Sequence, residues 1–189
     1  TALCCLLETD EVASGLIFTR TKARAQELAD ELLRRGFSAD SLHGDLNQAR
    51  REQVLNRFRK GGVTLMVATD VAARGLDITD VSHVFNYDMP ADAEDYVHRI
   101  GRTGRAGKKG IAVTLLTPKE RSRMNQIQAY TRQPVTEMPL PGAAEVQQKR
   151  DDRLIEQVGG QLLAGMNHSE KQLLDKMIEN GFTINEIAV

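Results

Sequence analysis

VTLMVATDVAARGLDI, residues 63–78, is the stretch that decides the fold. Its first part, residues 63–68, is apolar and rich in β-formers, which is typical of a strand buried in a parallel sheet. Polar residues follow where that strand should end, and ligands of open α/β sheets bind beyond the carboxyl ends of the strands. The residues that we therefore expect to serve binding rather than packing are Thr69, Asp70, Arg74, Gly75 and Asp77.

Strand and helix patterns alternate on both sides of this stretch. Short apolar runs predict strands at residues 15–18, 38–42, 83–87 and 111–116, and apolar periodicity predicts helices at residues 21–35 and 47–60 and from about residue 92. TPKE, residues 117–120, is a capping box with Pro at the first helical position and marks another helix start. The alternation predicts an α/β fold with a doubly wound parallel sheet flanked by helices.

HRIGRTGRAGKKG, residues 98–110, is the second informative stretch. It carries Arg99, Arg102 and Arg105 at a spacing of three, with glycines between them. If the stretch is helical, Arg102 and Arg105 reach the same side. Guanidinium groups grip phosphate oxygens through paired hydrogen bonds, and glycines let a ligand approach the backbone. The combination suits a phosphate whose charge grows during transfer, although the stretch alone is also compatible with a solvated basic loop.

The composition is that of a globular chain. Of its 189 residues, 41% are hydrophobic, and the formal net charge is −1, so any basic binding surface is local. No apolar run reaches the roughly 18 residues that span a bilayer, and no signal-peptide pattern is present. Cys4 and Cys5 are adjacent, which does not suit a zinc site. We expect a cytoplasmic protein without a membrane segment or a metal site of its own.

The character of the chain changes at QPVTEMPLPG, residues 133–142, where three prolines disfavour regular structure. We predict a domain at residues 1–132, a Pro-rich linker at 133–142 and a helical appendage at 143–189. Helices are expected at residues 149–166 and after a capping box at Ser169, and a further box at Thr183 predicts that the chain ends within a helix. The apolar stripes of the appendage are open to three interpretations: docking on the first domain, self-association, or binding of another protein.

Five segments together resemble the DEAD-box RNA helicases of superfamily 2. ATDVAARGLDI (68–78) and YVHRIGRTGRAGKKG (96–110) are similar to motifs V and VI of that family, and LIFTRTK (16–22) is similar to motif IV. LHGDLNQARREQVLNRFRKG (42–61) and VFNYDMP (84–90) are similar to blocks that lie between these motifs. The resemblance implies the RecA-like fold of the family's C-terminal domain.

The segments that the family carries on its first RecA-like domain are absent. The sequence has no GxxxxGK[ST] phosphate loop, no Asp-Glu-Ala-Asp run and no Ser-Ala-Thr, and it begins at Thr1 rather than at Met. A phosphate loop supplies backbone amides, a lysine and a metal-binding hydroxyl for a nucleotide. We expect the C-terminal half of a longer enzyme, inactive as an ATPase alone, whose ATP-bound Mg²⁺ is held mainly by the N-terminal domain.

The resemblance implies roles for individual residues in ATP hydrolysis. Arg105 matches the arginine finger, and Arg102 matches its partner at the γ-phosphate. Gly75 and Asp77 match positions near the nucleotide ribose. His98 matches a residue that couples this domain to the N-terminal RecA-like domain when the cleft between them closes.

For RNA, the resemblance implies contacts mainly with the backbone. The matching residues are Arg20, Gly44, Asp45, Thr69 and Arg74. Thr69 can donate a hydrogen bond to phosphate, whereas Asp45 is expected to orient a neighbour or to contact a 2′-hydroxyl. Because the chain has no Trp and few other aromatics, base stacking is not expected to dominate, which predicts little sequence specificity.

Two other functions remain open at this stage. The chain could be half of a DNA-directed translocase of the same superfamily, or a module that tethers RNA and dimerises without chemistry of its own. Some bacterial DEAD-box proteins carry a dimerisation appendage after the core, and residues 143–189 loosely resemble it. That resemblance implies a homodimer formed through the appendage.

Overall fold

The larger part of the protein is built on a parallel sheet. The computed structural model describes residues 1–73, 78, 80–104, 107, 109–165 and 168–181, and it divides into two compact units, Thr1–Leu140 and Pro141–Val189. The strands of the first unit are β1 (Gly15–Thr19), β2 (Ala39–Leu42), β3 (Leu65–Thr69), β4 (His83–Asn86) and β5 (Ile111–Thr114). Their order is β2-β3-β1-β4-β5, and all pairs are parallel. The predicted doubly wound parallel sheet is confirmed.

Helices flank this sheet. They are α1 (Ala2–Thr9), α2 (Lys22–Arg34), α3 (Gln48–Arg59), α4 (Asp70–Ala73), α5 (Ala93–Ile100) and α6 (Arg121–Thr131), with a 3₁₀ turn at Pro118–Glu120 in front of α6. The helices predicted near residues 21–35, 47–60 and 92 are confirmed, whereas α1 and α4 were not predicted. Strand β3 begins and ends later than expected, and β5 ends earlier.

Side-chain caps fix where several helices begin. The side-chain oxygens of Thr21, Asn47 and Asp92 each accept a hydrogen bond from the amide three residues later, at 3.2, 2.9 and 2.8 Å. Such caps satisfy amides that have no partner within the helix. In the predicted capping box, the Glu120 carboxylate accepts a hydrogen bond from the Thr117 amide at 3.0 Å, and its hydrogen bonds with Thr117 lower the pKa of Glu120.

The core lies on both faces of the sheet because side chains alternate along each strand. In β1, Leu16 and Phe18 join the cluster beneath α3 and α4, whereas Ile17 joins the cluster beneath α1 and α2. A further cluster packs α5 against α6 and consists of Met89, Tyr96, Met124 and Ile127. Burial on both faces explains why the strands read as continuous apolar runs rather than as alternating ones.

The smaller unit contains α7 (Ala143–Gly165) and α8 (His168–Glu179). Helix α7 begins earlier than predicted and continues through Gly159 and Gly160. Among the side chains of these helices that the structure describes, the large apolar ones that are exposed are Leu154, Ile155, Val158, Leu173 and Ile178. Residues 133–142 have no regular secondary structure, and the capping box predicted at Thr183 lies outside the described residues. Among the helices described, none is long and apolar enough to cross a membrane.

Candidate functional site

The predicted RNA contacts that the structure describes lie at one edge of the sheet. Because the strands are parallel, their carboxyl ends meet there. Thr69, the last residue of β3, lies beside Thr19, the last residue of β1, in the sheet register. Arg20 follows β1 directly, and Gly44 and Asp45 lie in the turn after β2. The fold thus brings four of the predicted RNA contacts to the edge where open α/β sheets bind ligands.

The turn after β2 combines open space with an ion pair. A Cβ atom built on Gly44 would meet no atom within 4 Å. Lys22 Nζ lies 2.9 Å from Oδ1 and 2.8 Å from Oδ2 of Asp45, and the hydrogen bond from Lys22 lowers the pKa of the Asp45 carboxyl. Asp45 thus pairs with an exposed lysine at the same edge, and its expected role in the RNA site stays a prediction. No sequence motif marks Lys22 as a member of this edge.

Arg99 is buried at the centre of a polar network. Its Nε and Nη2 atoms donate hydrogen bonds to the two carboxylate oxygens of Asp70 at 2.7 and 2.8 Å. Its Nη1 atom donates to Asn86 Oδ1 at 3.1 Å and to the Asp88 carbonyl at 2.7 Å. The guanidinium carbon lies 5.0 Å from the ring centroid of Phe18, and the side chain is only 3% exposed. These hydrogen bonds connect helix α5 to Asp70, which follows β3, and to Asn86, the last residue of β4.

This network corrects two expectations. The spacing of the arginines suggests that Arg99 binds phosphate, and the place of Asp70 after β3 suggests that it binds a ligand. In the structure, these two side chains instead form hydrogen bonds with each other. Arg99 lies three residues after Tyr96 and therefore on the same face of helix α5. Both side chains are buried on that face. What the sequence did not indicate is the acceptor, since Asp70 lies 29 positions away along the chain.

Arg102 lies in the turn that follows α5. Its amide donates to the Arg99 carbonyl at 3.1 Å, and its carbonyl accepts a hydrogen bond from the Val81 amide at 3.2 Å. Gly104 has a φ of 68°, in the left-handed region, so the helix does not continue from Arg102 towards Arg105. Helix α5 ends at Ile100 and a turn presents Arg102, so a helix that would place both arginines on one side does not extend through Arg102.

His98 and Arg102 line a shallow depression whose wall includes the Asp70–Arg99 pair. His98 is exposed and Arg102 is half-buried. Asp95 also lines it, so the depression presents acidic as well as basic side chains. No group of three metal-binding side chains comes together in the part of the chain that the structure describes.

Some predicted site residues lie outside the described residues. They are Arg74, Gly75, Asp77 and Arg105. Their proposed contacts with nucleotide and RNA stay predictions from the sequence.

The comparisons with known proteins agree in one family. Residues 1–107 match the helicase conserved C-terminal domain. The DEAD-box ATP-dependent RNA helicase CshA of Geobacillus kaustophilus is 44% identical over 175 residues, which are 90% of this chain and 38% of that protein. The chain thus spans little more than a third of the length of this curated relative.

Solved structures of the same family share the fold. The E. coli DEAD-box protein SrmB, bound to regulator of ribonuclease activity A, is 39% identical with a TM-score of 0.65, over 77% of this chain and 84% of that one. S. cerevisiae Dbp5 bound to RNA and ADP BeF3 is 36% identical with a TM-score of 0.69, over 78% of this chain and 40% of that one. The RecA-like fold predicted for the first domain is confirmed.

Proposed function

The chain matches the helicase conserved C-terminal domain at residues 1–107 and belongs to the DEAD-box RNA helicases, and we propose that it forms the C-terminal half of an ATP-dependent RNA helicase. In this role it supplies arginine fingers and part of an RNA-backbone site to a longer enzyme. The observation that carries the proposal is that His98 and Arg102 share a depression near the strand ends that bear Arg20 and Thr69.

ATP is proposed to bind between this depression and an N-terminal RecA-like domain. When the cleft closes, Arg102 and Arg105 donate hydrogen bonds to the γ-phosphate, Gly75 and Asp77 lie at the ribose, and His98 contacts the other domain. The Mg²⁺ that accompanies ATP neutralises phosphate charge. Asp70 is occupied by Arg99 and no described carboxylate cluster suits the ion, which supports the proposal that the N-terminal domain holds it.

RNA is proposed to lie along the edge formed by the strand ends. Thr69 and the backbone near Gly44 contact phosphates, and Arg20 and Arg74 add positive charge. Asp45 holds Lys22 in place, which makes this lysine a further candidate for a phosphate contact. Contact with the RNA backbone alone gives little sequence specificity, and closure of the two domains bends the bound strand so that local base pairs open.

Gly44→Ala is expected to weaken RNA binding while leaving the fold intact. A methyl group at this position meets no protein atom, so the melting temperature should not fall, whereas the same methyl displaces a closely bound RNA backbone. We expect an affinity loss of about tenfold for labelled single-stranded RNA, measured by fluorescence anisotropy.

Gly62→Ala is the matched control for this substitution. Gly62 lies between α3 and β3, at the opposite edge of the sheet, and its added methyl makes only an ordinary contact with the Arg57 carbonyl at 3.5 Å. Equal RNA affinity in Gly44→Ala and Gly62→Ala would remove Gly44 from the proposed RNA path.

ATP hydrolysis by the full-length helicase tests the proposed function as a whole. We expect single-stranded RNA to stimulate turnover, DNA of the same sequence to have little effect, and the isolated chain to hydrolyse no ATP. Stimulation by DNA would favour a DNA-directed translocase. A full-length protein without ATPase activity would favour the alternative function, a module that tethers RNA. We propose the cytoplasm as the compartment for either function.

The appendage is proposed to form a homodimer. Residues 1–132 and 143–189 are taken as domains joined by residues 133–142, and exposed Leu154, Ile155 and Leu173 give the appendage apolar surface to bury. The mass of the chain in solution should approach twice 20.9 kDa, and a version ending at Gly142 should be monomeric. A monomer at every concentration would contradict self-association.

A further inference from the structure

The turn that follows α5 is hydrogen-bonded to the segment in front of β4. The hydroxyl of Thr103 shares its proton between the carbonyls of Val81 and Ser82, the second of which lies 3.1 Å away. In the opposite direction, the Val81 amide donates to the Arg102 carbonyl at 3.2 Å. Two consecutive residues of the turn are therefore held by two consecutive residues of this segment.

The segment in front of β4 is itself fixed to the sheet. Val81 is buried, and Ser82 exchanges hydrogen bonds with Ser14, the residue before β1. The Ser82 amide donates to the Ser14 hydroxyl at 3.1 Å, and the Ser82 hydroxyl donates to the Ser14 carbonyl at 2.7 Å. The Ser82 carbonyl also accepts a hydrogen bond from the amide of Ile111 in β5 at 3.1 Å. A group that bonds to Val81 and Ser82 is thus held against the starts of three neighbouring strands.

Gly110 packs against the turn from another side. A Cβ atom built on Gly110 would lie 2.7 Å from the Cα atom of Gly104 and would overlap the Thr103 hydroxyl. The backbone of Gly110 therefore lies directly against the turn and leaves no room there for a side chain. Thr103 lies between two segments that frame the sheet, and its hydroxyl joins the turn to one of them.

The position of Arg102 depends on this turn. Helix α5 ends at Ile100, so helix geometry no longer sets the direction of the backbone at Arg102. Its side chain nevertheless lines the same depression as His98, which lies within α5. The hydrogen bonds of Thr103 act on the residue next to this proposed contact to the γ-phosphate. Donors to a phosphoryl group stabilise its transition state only when their geometry is fixed in advance.

We propose that Thr103 is a positioning residue for Arg102 in ATP hydrolysis. Its hydroxyl holds the turn after α5 against Val81 and Ser82, so that Arg102 meets the γ-phosphate when the cleft closes. Thr103 itself touches neither ATP nor RNA. The inference rests on the proposed function and adds to it a side chain that sets the geometry of one of its arginines.

Thr103→Val in the full-length helicase tests this role, because valine keeps the branched shape of threonine and removes the donor. We expect kcat for RNA-stimulated ATP hydrolysis to fall about tenfold. The KM for ATP and the RNA affinity should change by less than about threefold, since the contacts made before the transition state remain. Thr103→Ser restores the donor and should recover most of the lost turnover. Thr103→Ala removes the donor without adding apolar bulk and should behave like Thr103→Val.

The Arg102→Ala background separates positioning from a general structural role. If Thr103 acts through Arg102, adding Thr103→Val to Arg102→Ala should lower turnover by less than about twofold further. A merely structural contribution would lower turnover by the same factor in both backgrounds. That additive result would overturn the inference.

Thr64→Val is the matched control. The Thr64 hydroxyl also donates to a backbone carbonyl, that of Ser38 at 3.2 Å, and joins the residue before β3 to the residue before β2. The substitution removes the same kind of hydrogen bond away from the turn and should leave kcat unchanged. A loss equal to that in Thr103→Val would attribute the effect to general loosening of the domain and would count against positioning.

The remaining outcomes are distinguishable from one another. Unchanged kcat in both Thr103→Val and Thr103→Ala, or a loss that Thr103→Ser does not recover, removes the positioning role and leaves the proposed function standing. Failure of both donor-free variants to fold, seen by circular dichroism, assigns Thr103 to stability alone. Normal turnover in Arg102→Ala, or a full-length helicase that RNA does not stimulate, defeats the proposed function, and the inference falls with it.

Discussion

Arg105→Ala in the full-length helicase is expected to lower RNA-stimulated ATP turnover by at least about 100-fold, because an arginine finger contributes 10³–10⁵ in comparable phosphoryl-transfer enzymes. The methyl side chain leaves the charge that develops on the γ-phosphate without its donor, whereas ATP and RNA retain their other contacts. Phosphate release at saturating ATP and RNA measures the effect. The loss should therefore appear in kcat, with RNA affinity unchanged.

Two further variants sharpen this test. Arg105→Lys keeps the charge without the planar fork and should recover only part of the lost turnover. Arg34→Ala removes an exposed arginine near the end of α2, at the opposite edge of the sheet from the strand ends, and should have no effect on turnover. Near-normal turnover in Arg105→Ala would refute the finger assignment.

The local elements of this fold were predictable because their signals are local. Thr21, Asn47 and Asp92 cap the predicted helices with their own side chains, and each of these bonds spans three residues. The strand ends followed from the change between apolar and polar residues, and parallel pairing then brought Thr69 and Arg20 to one edge. The edge of the sheet that carries the candidate site could therefore be predicted without knowledge of any long-range contact.

The polar network and α1 could not be predicted in the same way. Whether Asp70 faces a ligand or a buried arginine depends on the packing of α5, which a pattern around Asp70 does not contain. Helix α1 has no side-chain cap, and its sequence ALCCLLET is apolar on most sides, so the periodicity does not separate helix from strand. Its conformation is determined by the sheet face on which it packs.

Leu3→Ala measures how much the domain depends on that unpredicted helix. Leu3 is fully buried in the cluster that also contains Leu28 of α2 and Phe85 of β4, so truncation leaves a cavity where three elements meet. We expect the free energy of unfolding to fall by roughly 2–5 kcal/mol, a large share of the stability of a typical domain. Urea unfolding of the chain, followed by circular dichroism, measures this loss.

Leu33→Ala is the control because Leu33 of α2 is 51% exposed, and its truncation should lower the free energy of unfolding much less. An equal loss in the two variants would mean that α1 lies outside the cooperative core, and the sheet face beneath it would then need another cover.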